Sequence, residues 1–148
     1  MIIGFTGTRR GMTAAQAMTI AGDIASMREN WPGAMTLLHG DCVGADAEIH
    51  RWWRSAFGGL RGDVEVYRVG SGRLVAMSDA DRVFERESHL SRNREIVERS
   101  TLLYGAPPCA EPQQRGGTWY TIKYAWRQGK PTFVVAPDGS RIQGPGGD

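Results

Sequence analysis

Cysteine is scarce in this chain of 148 residues: Cys42 and Cys109 stand far apart, with no second pair of ligands beside either. That spacing excludes a disulfide framework and a zinc site built on paired cysteines, and it fits a reducing cytoplasm. No apolar run approaches the roughly 18 residues that span a bilayer, and the first residues lack the basic flank and long apolar region of a secretion signal. A membrane partner is therefore not expected. Charge of one sign is lacking too. The net charge is +2 and the arginines are spread over several segments, so there is no basic tract for nucleic acid. Histidine is also rare. Asp46 and His50 lie four apart on one predicted helix face, but no third ligand accompanies them, so neither a metal nor a cofactor is implied.

What remains is ordinary for a globular domain, with 41% hydrophobic and 23% charged residues. A single domain is expected over residues 1–136, followed by a Gly- and Pro-rich flexible tail over 137–148. Strand and helix patterns alternate along the domain. The apolar opening that breaks at Gly7-Thr8-Arg9-Arg10-Gly11 reads as a strand buried on both faces, followed by a turn. Thr13 to Asn30 places Ala17, Ala21, Ile24 and Met27 on one helical stripe with Gln16 on the polar side, and Thr13 with Gln16 has capping-box spacing. Ala34–His39 reads as the second strand, Ala45–Phe57 as a helix that Gly58-Gly59 closes, and Val64–Tyr67 as the third strand. Arg68 to Glu87 shows no period and is expected to be a loop, with a lid as its candidate role. Ser88–Arg99 reads as a charged helix, Thr101–Ala106 as the fourth strand, Gly116–Gln128 as a helix with Ile122, Ala125 and Trp126 inward, and Thr132–Ala136 as the fifth strand.

This alternation predicts an α/β fold: a doubly wound, mainly parallel, five-stranded Rossmann-like sheet of order 3-2-1-4-5 with helices on both faces. Ligands of such sheets sit beyond the carboxyl ends of the strands. Three glycine-bearing turns fall there. Gly7 to Gly11 offers close backbone approach, a hydroxyl on Thr8 and guanidiniums on Arg9 and Arg10, with the dipole of the following helix directed at it. Gly40-Asp41-Cys42-Val43-Gly44 follows the second strand, where Asp41 is a candidate for a ribose hydroxyl. Gly116-Gly117-Thr118 opens a helix and supplies free N–H groups, a hydroxyl and a dipole together. The first turn has neither dinucleotide-fingerprint nor P-loop spacing, so a nucleotide there would be held differently. Of the tryptophans, Trp119 stands beside the glycines of the last turn and is the one placed to meet a ligand.

His39-Gly40-Asp41-Cys42-Val43-Gly44-Ala45-Asp46 resembles the Gly-x-x-x-Gly-Ala-Asp turn of small SLOG-superfamily proteins. That group includes the LOG phosphoribohydrolases and the DNA-processing Smf proteins. Arg92-Asn93-Arg94-Glu95-Ile96 is similar to their Arg-Asn segment, and Gly116-Gly117-Thr118 through Gly129-Lys130-Pro131 to their Gly-Gly-Thr helix and following strand. The resemblance implies a nucleotide-type small molecule, with phosphate on Gly116, Gly117 and Thr118 beside Gly7, Thr8, Arg9 and Arg10. Gly40, Asp41, Gly44 and Asp46 would shape the ribose or base side, and Arg92 would add charge. It also allows a homodimer. A sensor or sequestering protein is the first expectation. The alternative is a phosphoribohydrolase that releases free base, in which Arg92 would be catalytic; the family glutamate, however, is replaced by Thr121, and a threonine cannot supply the carboxylate. Glu95 and Asp41 are the substitutes the sequence offers. Single-stranded DNA binding, as in the Smf proteins, ranks third, because the modest charge argues against nucleic acid as a partner.

Overall fold

A computed structural model describes residues 1–57 and 62–145. The elements run β1 (Ile2–Gly7), α1 (Ala14–Asn30), β2 (Met35–His39), α2 (Ala45–Phe57), β3 (Gly62–Val69), β4 (Arg82–Arg86), α3 (His89–Arg99), β5 (Leu102–Ala106), α4 (Gly117–Arg127), β6 (Thr132–Val135) and β7 (Arg141–Ile142). They form an α/β fold around one sheet of order β4-β3-β2-β1-β5-β6-β7, parallel except for β7. No described helix is long and apolar enough to cross a membrane.

The sheet thus has seven strands, where the sequence pattern predicts five. The five anticipated strands keep their neighbours, β3-β2-β1-β5-β6, and one strand is added at each edge. β4 lies inside the stretch expected to be a lid: Arg82 pairs with Glu65 of β3 and Arg86 with Val69 in register. Its alternation of Arg82, Phe84 and Arg86 with Val83 and Glu85 suits a solvated edge, where Arg82 also reaches Asp63 at 3.1 Å. β7 lies inside the expected tail, and Asp23 of α1 holds Arg141 through two hydrogen bonds of 2.6 Å. Gly58-Gly59 and the last three residues of that tail fall outside the described residues.

Strand alternation divides the core between two helical layers. Ile3, Phe5, Leu37 and Tyr104 pack with Ile20 and Ile24 of α1 and with Ile49 and Trp53 of α2. Leu38, Tyr67 and Leu103, on the other face, pack with Ile96 and Val97 of α3 and Ala125 of α4. Consecutive apolar residues in β1 and β2 are what a strand covered on both faces requires. The α1 stripe differs from the pattern expected. Thr13 forms the capping box, but Gln16 is buried with Ile20 and Ile24. Its Nε2 donates to Pro107 O at 2.8 Å and Val135 O at 2.9 Å, so the buried amide ties α1 to the chain leaving β5 and to the end of β6.

Candidate functional site

Because β1, β2 and β5 are parallel neighbours, Gly7, His39 and Ala106 end along one edge of the sheet. The turns that leave these ends are locked together. Thr8 N–H donates to Ala106 O at 3.0 Å, and Thr8 O accepts from Ala45 N at 3.0 Å and Gly11 N at 3.1 Å. Gly44 makes this docking feasible: its φ is +84°, and a Cβ there would stand 2.3 Å from Arg9 O.

The turns enclose a cavity of about 530 Å³. Gly7, Thr8, Arg9, Arg10, Gly40, Asp46, Arg92, Gly116, Gly117 and Thr118 line it, as does Trp119. Asp41 and Gly44 do not. Asp41 is fully buried, at φ +57°, and its carboxylate is used internally. It accepts from Arg68 Nε at 2.6 Å and from Ser78 N at 2.9 Å. It pins the segment after β3, so it is a structural clamp and not a ribose ligand. The same bonds correct the mobile-lid expectation, as do Val43 N to Leu74 O at 3.1 Å and Ala76 N to Asp41 O at 2.8 Å. No residue of α1 lines the cavity, so the start of that helix, expected to face the ligand, does not border it.

α4 supplies the dipole instead. α1 and α3 are capped by Thr13 and Ser88, whereas the N-cap of α4 is Gly116, with no side-chain cap. Among the described residues, the amides of Gly117, Thr118 and Trp119 have no acceptor. Such open N–H groups at a helix start suit an anion.

Four arginines line the cavity, Arg9, Arg10, Arg92 and Arg115, and none forms an ion pair among the described residues. Arg92 is 3% exposed. Its Nη1 donates to Gly40 O at 2.7 Å and Tyr67 O at 2.8 Å, and its Nε to Asn93 Oδ1 at 2.8 Å. The fit requires glycine at position 40, where a Cβ would lie 2.7 Å from the guanidinium carbon. Arg92 is therefore a positive charge held by neutral acceptors beneath the cavity floor.

Among the described residues, the one carboxylate lining the cavity is Asp46, 4% exposed. Its Oδ2 accepts from Cys42 N at 3.1 Å, while Oδ1 has no partner in good hydrogen-bond geometry among the described residues, the Gly40 backbone exerting only a weak pull on the carboxylate. Burial lifts its pKa to about 6, against the pull of the Cys42 amide and the Arg92 charge. Burial likewise pushes the Cys42 thiol up, and it lowers His89 together with the charges of Arg92 and Arg9. Thr121 is buried in α4 with its hydroxyl donating to Gly117 O at 2.7 Å. Of the carboxylates the sequence offered in its place, Glu95 is paired with Arg86 at 2.8 Å and Asp41 with Arg68. Cys42, His89, Asn93 and Arg115 are cavity residues that sequence reasoning passed over. Cys42, Asn93 and Arg115 lie within or beside the turns and segment singled out above, whereas His89 carried no local signal.

A larger cavity, about 890 Å³, lies across the Arg10 turn, against α2. Three of its polar side chains are already engaged, while Arg10 and Arg51 on its wall are not paired among the described residues. Arg54 pairs with Asp81 at 2.8 Å, Glu48 accepts from Met12 N at 2.6 Å, and His50 bonds Asp79 O at 3.0 Å. Asp41 N donates to His39 Nδ1 at 2.9 Å, which leaves the His39 proton on Nε2 to donate to His50 Nδ1 at 2.8 Å. Both imidazoles are thus neutral, and burial holds His39 down at about 3. No cluster of three His, Cys, Asp or Glu suited to a metal occurs among the described residues.

The chain matches no protein-family model, and no curated protein matches it as a relative.

Proposed function

We propose that the protein binds a nucleotide or nucleotide-derived phosphorylated ligand at the carboxyl edge of its sheet, as a sensor or sequestering protein of the SLOG type. One observation carries this reading: four arginines without carboxylate partners and an uncapped helix start face one cavity of about 530 Å³. Uncompensated guanidiniums and free amides attract an anion, and phosphate fits both. The cavity has the size of a small-molecule site. A set of arginines gathered on one cavity also favours a compact anion over a nucleic-acid strand. The free thiols of Cys42 and Cys109 agree with a cytoplasmic setting. A homodimer is carried as part of the proposal; Trp31, Phe84 and Phe133 are exposed aromatics that a partner copy would cover.

Thermal melts with nucleoside mono- and diphosphates at millimolar concentration test it. A rise in Tm that Arg9→Ala reduces is expected. No rise with any of them would overturn the reading.

Asp46 favours hydrolysis as a second reading. A buried carboxylate with a raised pKa and a free oxygen, beside an anion site, is placed to take the proton of an attacking water or to stabilise an oxocarbenium-like centre. Release of free base from a nucleoside monophosphate, abolished by Asp46→Asn and by Arg92→Ala, is the expected result. Unchanged release in Asp46→Asn would remove Asp46 from that role.

A further inference from the structure

A third, smaller cavity of about 340 Å³ opens between the β2–α2 turn and residues 69–75. Its own walls are Val69, Leu74 and Val75 with Arg73, and it shares Arg9, Gly40, Cys42, His89 and Arg92 with the candidate site of about 530 Å³. The two spaces are therefore neighbours across a single partition. We infer that they form one two-compartment site, in which the smaller space takes the planar aromatic end of a ligand whose phosphate lies at Gly116–Thr118. This assignment rests on the phosphate reading above and adds where the base goes and what recognises it.

Three observations support it. First, the apolar wall is preformed. Cys42 and Val75 form an antiparallel bridge, Val43 N donates to Leu74 O at 3.1 Å, and Val75 N donates to Gly72 O at 3.0 Å. Leu74 is nevertheless 48% exposed. An apolar side chain held in place by its own backbone, at the edge of a concavity, offers contact area at little ordering cost.

Second, no carboxylate lines this compartment, and Arg73 has no ion pair or hydrogen bond among the described residues. A cationic group would meet only like charge there. A flat, electron-rich ring can lie against a guanidinium face and aliphatic side chains at once. Third, the shared partition is polar, with Arg9, His89 and the Cys42 thiol, which suits the sugar that would join the two ends.

Titration calorimetry with two probes tests the division of labour: ribose 5-phosphate, which fills only the phosphate side, and the four ribonucleoside 5′-monophosphates, taken singly. The wild-type protein is expected to bind at least one nucleotide more tightly than ribose 5-phosphate. Leu74→Ser and Arg73→Ala should each weaken that nucleotide severalfold to about tenfold while leaving ribose 5-phosphate unchanged. Both positions are exposed, so both variants should fold, which circular dichroism verifies. If both probes bind equally, or if the variants weaken both alike or neither, the base compartment is wrong while the phosphate site stands. If neither probe binds, the phosphate reading falls and takes this one with it.

Discussion

On one side of the β2–α2 turn, His39, Asp41 and His50 have every polar side-chain atom engaged; on the other, Asp46 keeps one oxygen unbonded among arginines that lack ion pairs. Both sides are buried and both are charged or titratable, so burial alone does not distinguish them. What differs is completion. A satisfied network rigidifies the chain it joins, and here it pins residues 68–79 against the sheet edge. An incomplete one, gathered around a cavity, leaves electrostatic work for a ligand. The larger cavity across the Arg10 turn differs in another way: its Arg54, Glu48 and His50 are engaged, and no residue of the α4 helix start lines it.

The sharpest way to break this comparison is to cut the completed side. Asp41→Ala leaves the Arg68 guanidinium and the Ser78 amide without their acceptor and places alanine at φ +57°. Losing one partner of a buried pair costs about 3–5 kcal/mol. Urea denaturation should show a loss of that order. If Asp41 were instead a ribose ligand, the variant would keep its stability and lose only ligand affinity.

Acid should separate the two sides next. His39 is held far below its ordinary value, so the unfolded chain binds more protons than the folded one below about 6.5, and its contribution to stability is lost as pH falls from there toward 3. Asp46 has the opposite sign. Its folded pKa, about 6, exceeds the model-peptide value of 3.8, so the folded chain binds more protons between these limits, and its charge-burial penalty is relieved as pH falls from 6 to 4. Asp46→Asn removes that relief. Relative to wild type, the variant should lose stability progressively between pH 6 and pH 4, by a few kcal/mol at most. Thermal melts across this range check it, and parallel curves for the two proteins would place Asp46 in solvent-like surroundings.

The same contrast explains what could be read from the sequence. β1, β2 and β5 were legible because a strand covered on both faces must be apolar along its length, and the glycine turns were legible because each marks a backbone need. Their convergence followed from parallel neighbours ending at one edge. β4 was not legible, because Arg82 and Arg86 are edge residues stabilised by Asp63, Glu65 and Glu95, and five residues of mixed charge carry no core signal. Gln16 reads as a solvent-side residue because the carbonyls that satisfy its buried amide, Pro107 and Val135, are distant in sequence. Asp41 and Asp46 have identical side chains at neighbouring positions. Which one is consumed depends on Arg68 and Ser78, and nothing local announces that.

The smallest expected change in stability comes from the incomplete side, and there it should accompany the clearest change in binding. Arg9 and Arg115 are exposed cavity residues outside any ion pair, so Arg9→Ala and Arg115→Ala should alter stability by no more than about 0.5 kcal/mol. Sulfate is a suitable probe because, unlike phosphate, it keeps its charge between pH 5 and pH 8. Each substitution should weaken sulfate, since it removes a guanidinium without exposing a partner that needed it. Wild-type affinity should rise as pH falls through about 6, because protonated Asp46 no longer repels the anion. Asp46→Asn should bind at pH 8 with the affinity that wild type reaches only in acid, and with a flatter profile. The His89 imidazole, which borders the same cavity, also gains charge in acid, and the Asp46→Asn profile isolates that contribution. Equal slopes in the two proteins would assign the pH response to His89 and leave Asp46 without an electrostatic role in anion binding.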